Sequence, residues 1–160
     1  METHWSFDRM TPDRARTIAQ DWAYPPPYDF YDMTADPEDL EEFLTPDQWP
    51  EIIEAATGDQ GNLAGFFTAE FSGDAAELGL GMRPDLTGRG AGEAFTRACL
   101  ERLRALRPEV RRVTLMVAAF NVRARTVYER CGFAATGRHV APCAGRPVEF
   151  IDMAWMLTRS

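Results

Sequence analysis

A glycine-rich segment at residues 86–92, Leu-Thr-Gly-Arg-Gly-Ala-Gly, limits the possible fold more than any other part of this sequence, because strongly patterned segments flank it. The segment before it, Ala75–Met82, has the alternating pattern of a strand. After it, apolar residues recur at three- and four-residue spacing as far as Leu106, which predicts an amphipathic helix. The nearly all-apolar residues 113–120 then predict a strand buried on both faces. A strand, a helix and a strand in this order predict a parallel pair joined by a right-handed crossover.

Further strands and helices are expected on both sides of this unit. Strands are predicted at residues 4–10, on either side of the turn at 57–61, at 133–142 and at 147–157. Helices are predicted to begin at Pro12, at Asp36-Pro37 and after a cap at Asn121. Together these elements predict a single domain over residues 1–160, built as a mixed sheet with helices packed on its faces.

Residues 23–36, AYPPPYDFYDMTAD, interrupt this regular pattern and are called the aromatic loop below. Three consecutive prolines fix an extended path and remove backbone donors, so an α-helix is not expected here. The segment lies between the first two predicted helices and carries four aromatic side chains: Tyr24, Tyr28, Phe30 and Tyr31.

The charge of the chain is divided unevenly along its length. Residues 1–60 contain 15 acidic residues and 3 arginines, whereas residues 61–160 contain 10 acidic residues and 14 arginines, for a net charge of −8. The acidic first third argues against a nucleic-acid-binding surface, which needs clustered basic residues. It suits a cationic substrate, although a solvated acidic face is the more common reason for such a composition.

Membrane, secretory and metal-binding signals are not apparent in the sequence. No run of about eighteen apolar residues is present and no signal peptide is recognisable, so we expect a cytoplasmic protein without a membrane partner. The three cysteines and the two isolated histidines, His4 and His139, lack the spacing of metal ligands. We therefore expect no metal.

The glycine-rich segment itself has the setting of an anion site. The first N–H groups of a helix lack internal partners, and glycines let a preceding loop curl so that several N–H groups converge on one phosphate. A P-loop is excluded, because it needs a lysine and the chain contains none. A dinucleotide fingerprint fits poorly, since Gly92 is out of step and no acidic residue follows at the required distance.

Two segments together resemble the GNAT superfamily of N-acetyltransferases. Residues 78–92, LGLGMRPDLTGRGAG, resemble the family's motif A, in which a loop of the form R/Q-x-x-G-x-G/A wraps the pyrophosphate of acetyl-CoA. Residues 121–133, NVRARTVYERCGF, match its N-x-x-A-x-x-x-Y-x-x-x-G-F segment, in the family's order and spacing. The resemblance implies a mixed α/β, mostly antiparallel sheet of about seven strands, with a splayed parallel pair and helices on both faces.

The resemblance also implies a role for each matching residue in acetyl transfer from acetyl-CoA to a primary amine. Asn121 would contact the coenzyme where the parallel strands separate, and Tyr128 would protonate the departing thiolate as general acid. Thr87 stands where the family has Arg or Gln, so only a hydroxyl is available there. Backbone groups would bind the pantetheine arm and the pyrophosphate, from these residues: Leu80, Gly81, Met82, Thr87, Gly88, Arg89, Gly90, Ala91 and Gly92.

The base that would deprotonate the acceptor amine is less evident. The glutamate that some relatives carry five positions before the Asn is Met116 here, so Glu77 is the candidate base. Asp152 is a further strand acid, for which a surface or structural role is expected. Gly79 and Gly81 predict a bulge in the strand that carries Glu77, which would decide the face on which Glu77 lies.

The aromatic loop falls where the family places its acceptor-binding loop. Tyr28 and Tyr31 would either form a cage for a cationic amine or pack the loop onto the sheet, and the sequence does not distinguish the two. The amine belongs to a small molecule or a peptide, and the resemblance allows a homodimer. A non-catalytic acyl-CoA-binding sensor on the same scaffold is the alternative function, although retention of Asn121 and Tyr128 favours the enzyme.

Overall fold

The computed structural model describes residues 4–87, 90–143 and 145–157, apart from the side chain of Phe30, and this part of the chain contains seven strands and four α-helices. The strands are β1 (Ser6–Arg9), β2 (Ile52–Thr57), β3 (Leu63–Ser72), β4 (Ala75–Met82), β5 (Arg112–Ala118), β6 (Ala134–Cys143) and β7 (Arg146–Met156). The helices are α1 (Pro12–Asp21), α2 (Pro37–Leu44), α3 (Ala91–Leu106) and α4 (Val122–Arg130).

The seven strands form one sheet in the order β1-β2-β3-β4-β5-β7-β6. Every neighbouring pair is antiparallel except β4 and β5, which are parallel and are connected through α3. The prediction of a mixed, mostly antiparallel sheet of about seven strands with one parallel pair is therefore confirmed.

Two apolar clusters hold the helices on opposite faces of the sheet. On one face, Phe95 and Leu103 of α3 pack with Val113 of β5 in a fully buried cluster that Tyr128 of α4 also contacts. On the other face, Ile18 of α1 joins a cluster with Phe66 of β3, which Phe43 of α2 covers. The prediction of helices on both faces is confirmed.

One ion pair ties α3 to the sheet from within the protein. Arg102 Nε and Nη2 donate to the two carboxylate oxygens of Glu54 at 2.7 and 3.1 Å. Glu54 lies on β2 and is 8% exposed, so its charge depends on this two-pronged contact for stabilisation.

The aromatic loop contains two short 3-10 helices, at Tyr28–Tyr31 and Met33–Ala35, which the proline-rich pattern did not predict. A proline lacks the backbone N–H donor but keeps its carbonyl acceptor. The turns can therefore form, since the Pro25 carbonyl accepts a hydrogen bond from the Tyr28 N–H at 2.8 Å. The Tyr24 N–H donates to Asp32 Oδ1 at 2.8 Å and closes the loop on itself.

Candidate active site

The parallel strands β4 and β5 separate in the middle of the sheet. They pair at only three positions, from Ala75 with Arg112 to Glu77 with Thr114. Beyond these, β4 continues to Met82 and β5 to Ala118 without pairing to each other. The predicted splayed pair is confirmed, and it opens a cleft whose two walls are strand backbones.

The register of β4 determines which of its backbone groups face this cleft. The Arg83 N–H donates to the Ala64 carbonyl, which continues the alternation of the β3–β4 ladder. Gly81 therefore directs its N–H and C=O groups towards β3, whereas Leu80 and Met82 direct theirs into the cleft. Leu80 and Met82 are thus the strand residues whose backbone groups can bind a ligand there.

The opposite wall of the cleft is β5, which pairs with β7 along its other edge. The Ala119 N–H donates to the Glu149 carbonyl, so this pair belongs to the hydrogen-bonded positions of the β5–β7 ladder. Ala118, one position earlier, therefore turns its backbone groups away from β7 and into the cleft.

Gly79 and Gly81 allow close approach of side chains from β3. The pairing of β3 with β4 is continuous over eight positions, so the predicted bulge is wrong. A Cβ atom at Gly81 would overlap the ring of Phe66, and one at Gly79 would lie 2.5 Å from Thr68 Oγ1. The glycines keep the strand regular while neighbouring side chains cross over it.

The glycine-rich segment leads into the first turn of α3. Gly88 and Arg89 lie outside the described residues. Gly90 has a φ of +80°, a left-handed conformation that favours glycine, and it is the residue before Ala91 and Gly92, which begin the helix. Because Gly90 has no side chain, it leaves the first N–H groups of the helix without a side-chain cap.

Thr87, the residue that replaces the family's Arg or Gln, uses its side chain within the turn that precedes α3. Its hydroxyl donates to the Pro84 carbonyl at 2.7 Å. The side chain therefore stabilises the approach to the glycines and does not depend on a ligand for its hydrogen bond.

Asn121 is buried at the end of β5 and uses both atoms of its side-chain amide. Oδ1 accepts a hydrogen bond from the Ala124 N–H at 3.1 Å and caps α4. Nδ2 donates to the Tyr31 hydroxyl at 3.1 Å. The predicted cap is confirmed, and the second bond brings the aromatic loop to the end of the cleft.

Tyr128 lies on the face of α4 that packs against the sheet, with its ring 6.0 Å from that of Phe133. Burial raises the pKa of Tyr128 well above the usual value for a phenol, and the nearby Tyr31 hydroxyl raises it further. The phenol is therefore protonated at neutral pH. Among the residues that the structure describes, none hydrogen-bonds to the Tyr128 hydroxyl.

The aromatic loop is hydrogen-bonded to both walls of the cleft. On the β4 side, the Tyr24 hydroxyl donates to the Met82 carbonyl at 2.6 Å. On the β5 side, the Tyr31 hydroxyl bonds to Asn121 and to the backbone of Ala118. The loop therefore spans the mouth of the cleft.

Tyr28 belongs to the same loop and is half-buried. The guanidinium carbon of Arg123 lies 4.2 Å from the centre of the Tyr28 ring, a cation–π contact within the protein. Phe120 contacts both tyrosine rings, at 6.4 Å from Tyr28 and 6.2 Å from Tyr31. One face of Tyr28 is thus already covered by a cation.

A cavity of about 420 Å³ opens beside the last paired position of β4 and β5. Glu77 alternates with Ala76 and Leu78, which pack towards α3, so Glu77 lies on the opposite face of the sheet. The residues that carry the chemistry of this pocket come from β4 to β7: Glu77, Arg112, Thr114, Met116, His139 and Asp152. No ion pair or hydrogen bond holds the Glu77 side chain within the described chain.

Two groups of contacts were not predicted from the sequence. Tyr24 was included only as one aromatic residue of the loop, and His139 was considered isolated. His139 Nδ1 lies 3.0 Å from Asp152 Oδ2, across the hairpin of β6 and β7. The alternation of residues in the two closing strands was the available signal, because it places a histidine and an aspartate on the same face.

Helices that could span a membrane and clusters of metal-binding side chains are absent from the described ranges 4–87, 90–143 and 145–157. No helix in these ranges is long and apolar enough to cross a membrane. No group of three or more His, Cys, Asp or Glu side chains in them is arranged to hold a metal ion.

Comparison with known proteins identifies similar domains. A family model described as the acetyltransferase (GNAT) family matches residues 16–133. A chimera of spermidine N-acetyltransferase from Vibrio cholerae and hSSAT is 22% identical, with a TM-score of 0.70 and 95% of each chain covered. The Vibrio cholerae spermidine N-acetyltransferase in complex with CoA and spermine is 19% identical, with a TM-score of 0.72 and 95% of each chain covered.

A putative phosphinothricin N-acetyltransferase is also similar, at 17% identity and a TM-score of 0.71, over 98% of this chain and 100% of the other. At these identities the solved structures show a shared fold. No curated protein sequence matches the chain.

Proposed function

The chain belongs to the acetyltransferase (GNAT) family, whose model matches 16–133 of its 160 residues, and we propose that it transfers an acetyl group from acetyl-CoA to a primary amine. The amine attacks the thioester directly, without an acetyl-enzyme intermediate. The observation that carries this proposal is the cleft between β4 and β5, into which the backbone groups of Leu80 and the N–H of Met82 point, with Tyr128 on the helix that follows β5.

The donor set of the cleft fits the coenzyme's pantetheine arm. The arm carries secondary amides, which need a donor and an acceptor as a further strand would. Leu80 offers its N–H and C=O groups from β4, and Met82 offers its N–H, because Tyr24 already donates to the Met82 carbonyl. Asn121 offers the second hydrogen of Nδ2, since the first is donated to Tyr31. The pyrophosphate would bind at the residues from Thr87 to Gly92, where a helix N-terminus supplies free N–H groups and a favourable dipole.

Tyr128 supplies the proton for the leaving thiolate. Because burial raises the pKa of Tyr128, the phenol holds its proton at neutral pH and gives it to the thiolate sulfur as the C–S bond breaks. Backbone N–H groups of the splayed strands stabilise the oxyanion of the tetrahedral intermediate.

The acceptor enters from the face that carries Glu77 and the aromatic loop. The Glu77 carboxylate, the candidate base of the sequence, attracts an amine in its ammonium form into the pocket. We propose that Tyr31 and Tyr28 contact the acceptor from the loop, with the face of Tyr28 opposite Arg123 available for this contact. Spermidine and spermine are the first acceptors to test, because two of the similar structures are spermidine N-acetyltransferases.

The test is release of free thiol from acetyl-CoA with a panel of amines: spermidine, spermine, phosphinothricin, amino acids and peptide N-termini. A thermal-shift titration with acetyl-CoA accompanies it. We expect thiol release with at least one amine, and a decrease of about 100-fold or more in Tyr128→Phe with coenzyme binding retained. Full turnover by a folded Tyr128→Phe variant would contradict the assigned role of Tyr128.

The same measurements distinguish the alternative function. A thermal shift with acetyl-CoA but no thiol release from any amine would favour a non-catalytic sensor. Replacement of Tyr28 and Tyr31 by leucine should raise the KM for the amine while the affinity for acetyl-CoA stays unchanged. Loss of folding in these two variants would instead indicate that the tyrosines only pack the loop.

A further inference from the structure

A histidine and an aspartate lie together in the pocket beside the last paired position of β4 and β5. His139 of β6 and Asp152 of β7 are joined by the 3.0 Å contact between Nδ1 and Oδ2. The imidazole also stacks on Phe150, with ring centres 5.6 Å apart and an angle of 22° between the planes. The contact and the stack together fix the plane of the imidazole ring.

The contact with Asp152 also fixes the tautomer of neutral His139. An ionised carboxylate only accepts hydrogen bonds, so Nδ1 carries the hydrogen and Nε2 carries a lone pair. No residue that the structure describes hydrogen-bonds to Nε2. An oriented imidazole with a free basic nitrogen therefore lines the same pocket as Glu77 and Met116.

We propose that His139 is the general base of the acetyl transfer and that Asp152 is its positioning residue. This inference rests on the function proposed above. Nε2 takes one proton from the acceptor ammonium and passes it to solvent. The amine nitrogen then bonds to the thioester carbon, and the C–S bond breaks as Tyr128 protonates the sulfur. The second proton leaves the nitrogen on collapse of the intermediate, and solvent reprotonates the Tyr128 oxygen.

The charged groups of the pocket have different roles in binding the amine and in removing its proton. Besides the imidazole they are Glu77 of β4, Arg112 of β5 and Asp152 of β7. The two carboxylates stabilise both the arriving ammonium and the imidazolium that proton transfer creates, whereas Arg112 opposes them. An imidazole suits the base at neutral pH better than a carboxylate, because its basicity lies closer to the working pH. Glu77 accordingly binds the cation, and His139 deprotonates it.

The experiment compares pH profiles of kcat and kcat/KM for the wild type, His139→Gln, Asp152→Asn, Glu77→Gln and His4→Gln. The substrates are acetyl-CoA and spermidine, or the most active amine of the panel if spermidine is inactive. His4→Gln is the matched control, because His4 also contacts an aspartate, Asp59. His4 precedes β1 at one edge of the sheet, whereas His139 lies on β6 at the opposite edge.

We expect His139→Gln to lower kcat about 100-fold or more, with the thermal shift by acetyl-CoA unchanged. The acidic limb of the wild-type pH profile should disappear in this variant, because the group that accepts the proton is gone. Asp152→Asn should lower kcat roughly 10- to 100-fold with little change in KM. Glu77→Gln should mainly raise the KM for the amine, and His4→Gln should match the wild type.

Wild-type kcat and an unchanged acidic limb in His139→Gln would overturn the proposal, as would loss of that limb in Glu77→Gln alone. No thiol release by the wild type with any amine would overturn the proposed function as well. If His139→Gln does not fold, His139→Ala is assayed with added imidazole. Restoration of turnover by imidazole supports the proposal, and its failure in a folded His139→Ala protein contradicts it.

Discussion

The Tyr31 hydroxyl and Asn121 Nδ2 lie 3.1 Å apart, and their hydrogen bond joins the aromatic loop to the residue that caps α4. Asn121 Oδ1 is already engaged by the Ala124 N–H, so one side chain holds a helix, a loop and the end of the cleft together. The helix cap uses Oδ1, whereas the proposed contact with the coenzyme would use Nδ2, so substitution can separate the two roles.

Asn121→Asp should retain the cap and lose the donor, because a carboxylate oxygen replaces Nδ2. We expect its free energy of unfolding to stay within about 1 kcal/mol of the wild type, whereas Asn121→Ala should lose about 1–2 kcal/mol. Both variants should bind CoA more weakly in calorimetric titrations. Equal destabilisation of the two variants would contradict the capping role, and unchanged CoA affinity would contradict the contact with the coenzyme.

The pH dependence of turnover should show no alkaline loss from the general acid. Burial raises the pKa of Tyr128 above the ordinary value of 10, so its phenol stays protonated up to that pH. We expect kcat to hold between pH 8 and 10, measured by thiol release. A decrease in this range that is present in the wild type and absent from Tyr128→Phe would contradict the raised pKa of Tyr128.

Alkaline stability should depend on Tyr24. Burial, aided by the Asp32 charge, raises the pKa of Tyr24 far above that of a phenol in the unfolded chain. The folded state therefore retains a proton that the unfolded state loses above pH 10, so stability is full below pH 10 and falls above it. We compare urea unfolding of the wild type and Tyr24→Phe at a series of pH values above 10. The free energy of unfolding of Tyr24→Phe should fall by about 1.4 kcal/mol less per pH unit than that of the wild type. An identical slope in the variant would contradict the prediction.

Gly81→Ala should destabilise the sheet beside the cleft. The added methyl group would overlap the ring of Phe66, so we expect a loss of about 1–3 kcal/mol. Gly92→Ala is the matched control, because its Cβ would make an ordinary 3.5 Å contact with Val127 within a helix. It should match or exceed the wild-type stability by up to about 1 kcal/mol. Equal stability of both variants in chemical denaturation would refute the packing explanation.

Removal of the Arg102 guanidinium should leave the buried Glu54 carboxylate without compensation. We expect Arg102→Ala to lose about 2 kcal/mol, below the value for fully buried pairs, because Arg102 is about a third exposed. The surface pair of Arg16 with Asp13 provides the control, and Arg16→Ala should change stability by less than about 1 kcal/mol. Similar losses in the two variants would mean that burial does not strengthen the Glu54 contact.

Local signals in the sequence predicted most of the fold. Pro12 and Asn121 interact only with the first turn of the helix that each begins. They therefore predict where a helix starts, whatever the tertiary position of that helix. The parallel pair was predictable because its connection contains a crossover helix. The bulge at Gly81 was predicted wrongly, because a glycine looks the same in sequence whether it bends a strand or makes room for a neighbour such as Phe66.

The candidate site was predicted only where a motif defines it. Tyr128 and Asn121 belong to one short segment, so their association follows from the helix that carries them. The contact of Tyr24 with Met82 joins residues 58 positions apart, and the pairing of His139 with Asp152 depends on the register of a hairpin. Such relationships arise from tertiary packing, for which a single sequence contains no local signal.

The aromatic loop has a thermodynamic consequence for the affinities of the proposed coenzyme and amine. Tyr24 is bonded to Met82 on one wall of the cleft and Tyr31 to Asn121 on the other, so the conformation of the loop depends on the separation of the walls. A coenzyme that changes this separation also changes the surface that the loop offers to the amine. Because binding free energies are linked, the amine must then alter the coenzyme's dissociation constant by the same factor. On the proposed function, selectivity for the acceptor and affinity for the donor would then be one coupled property of this loop.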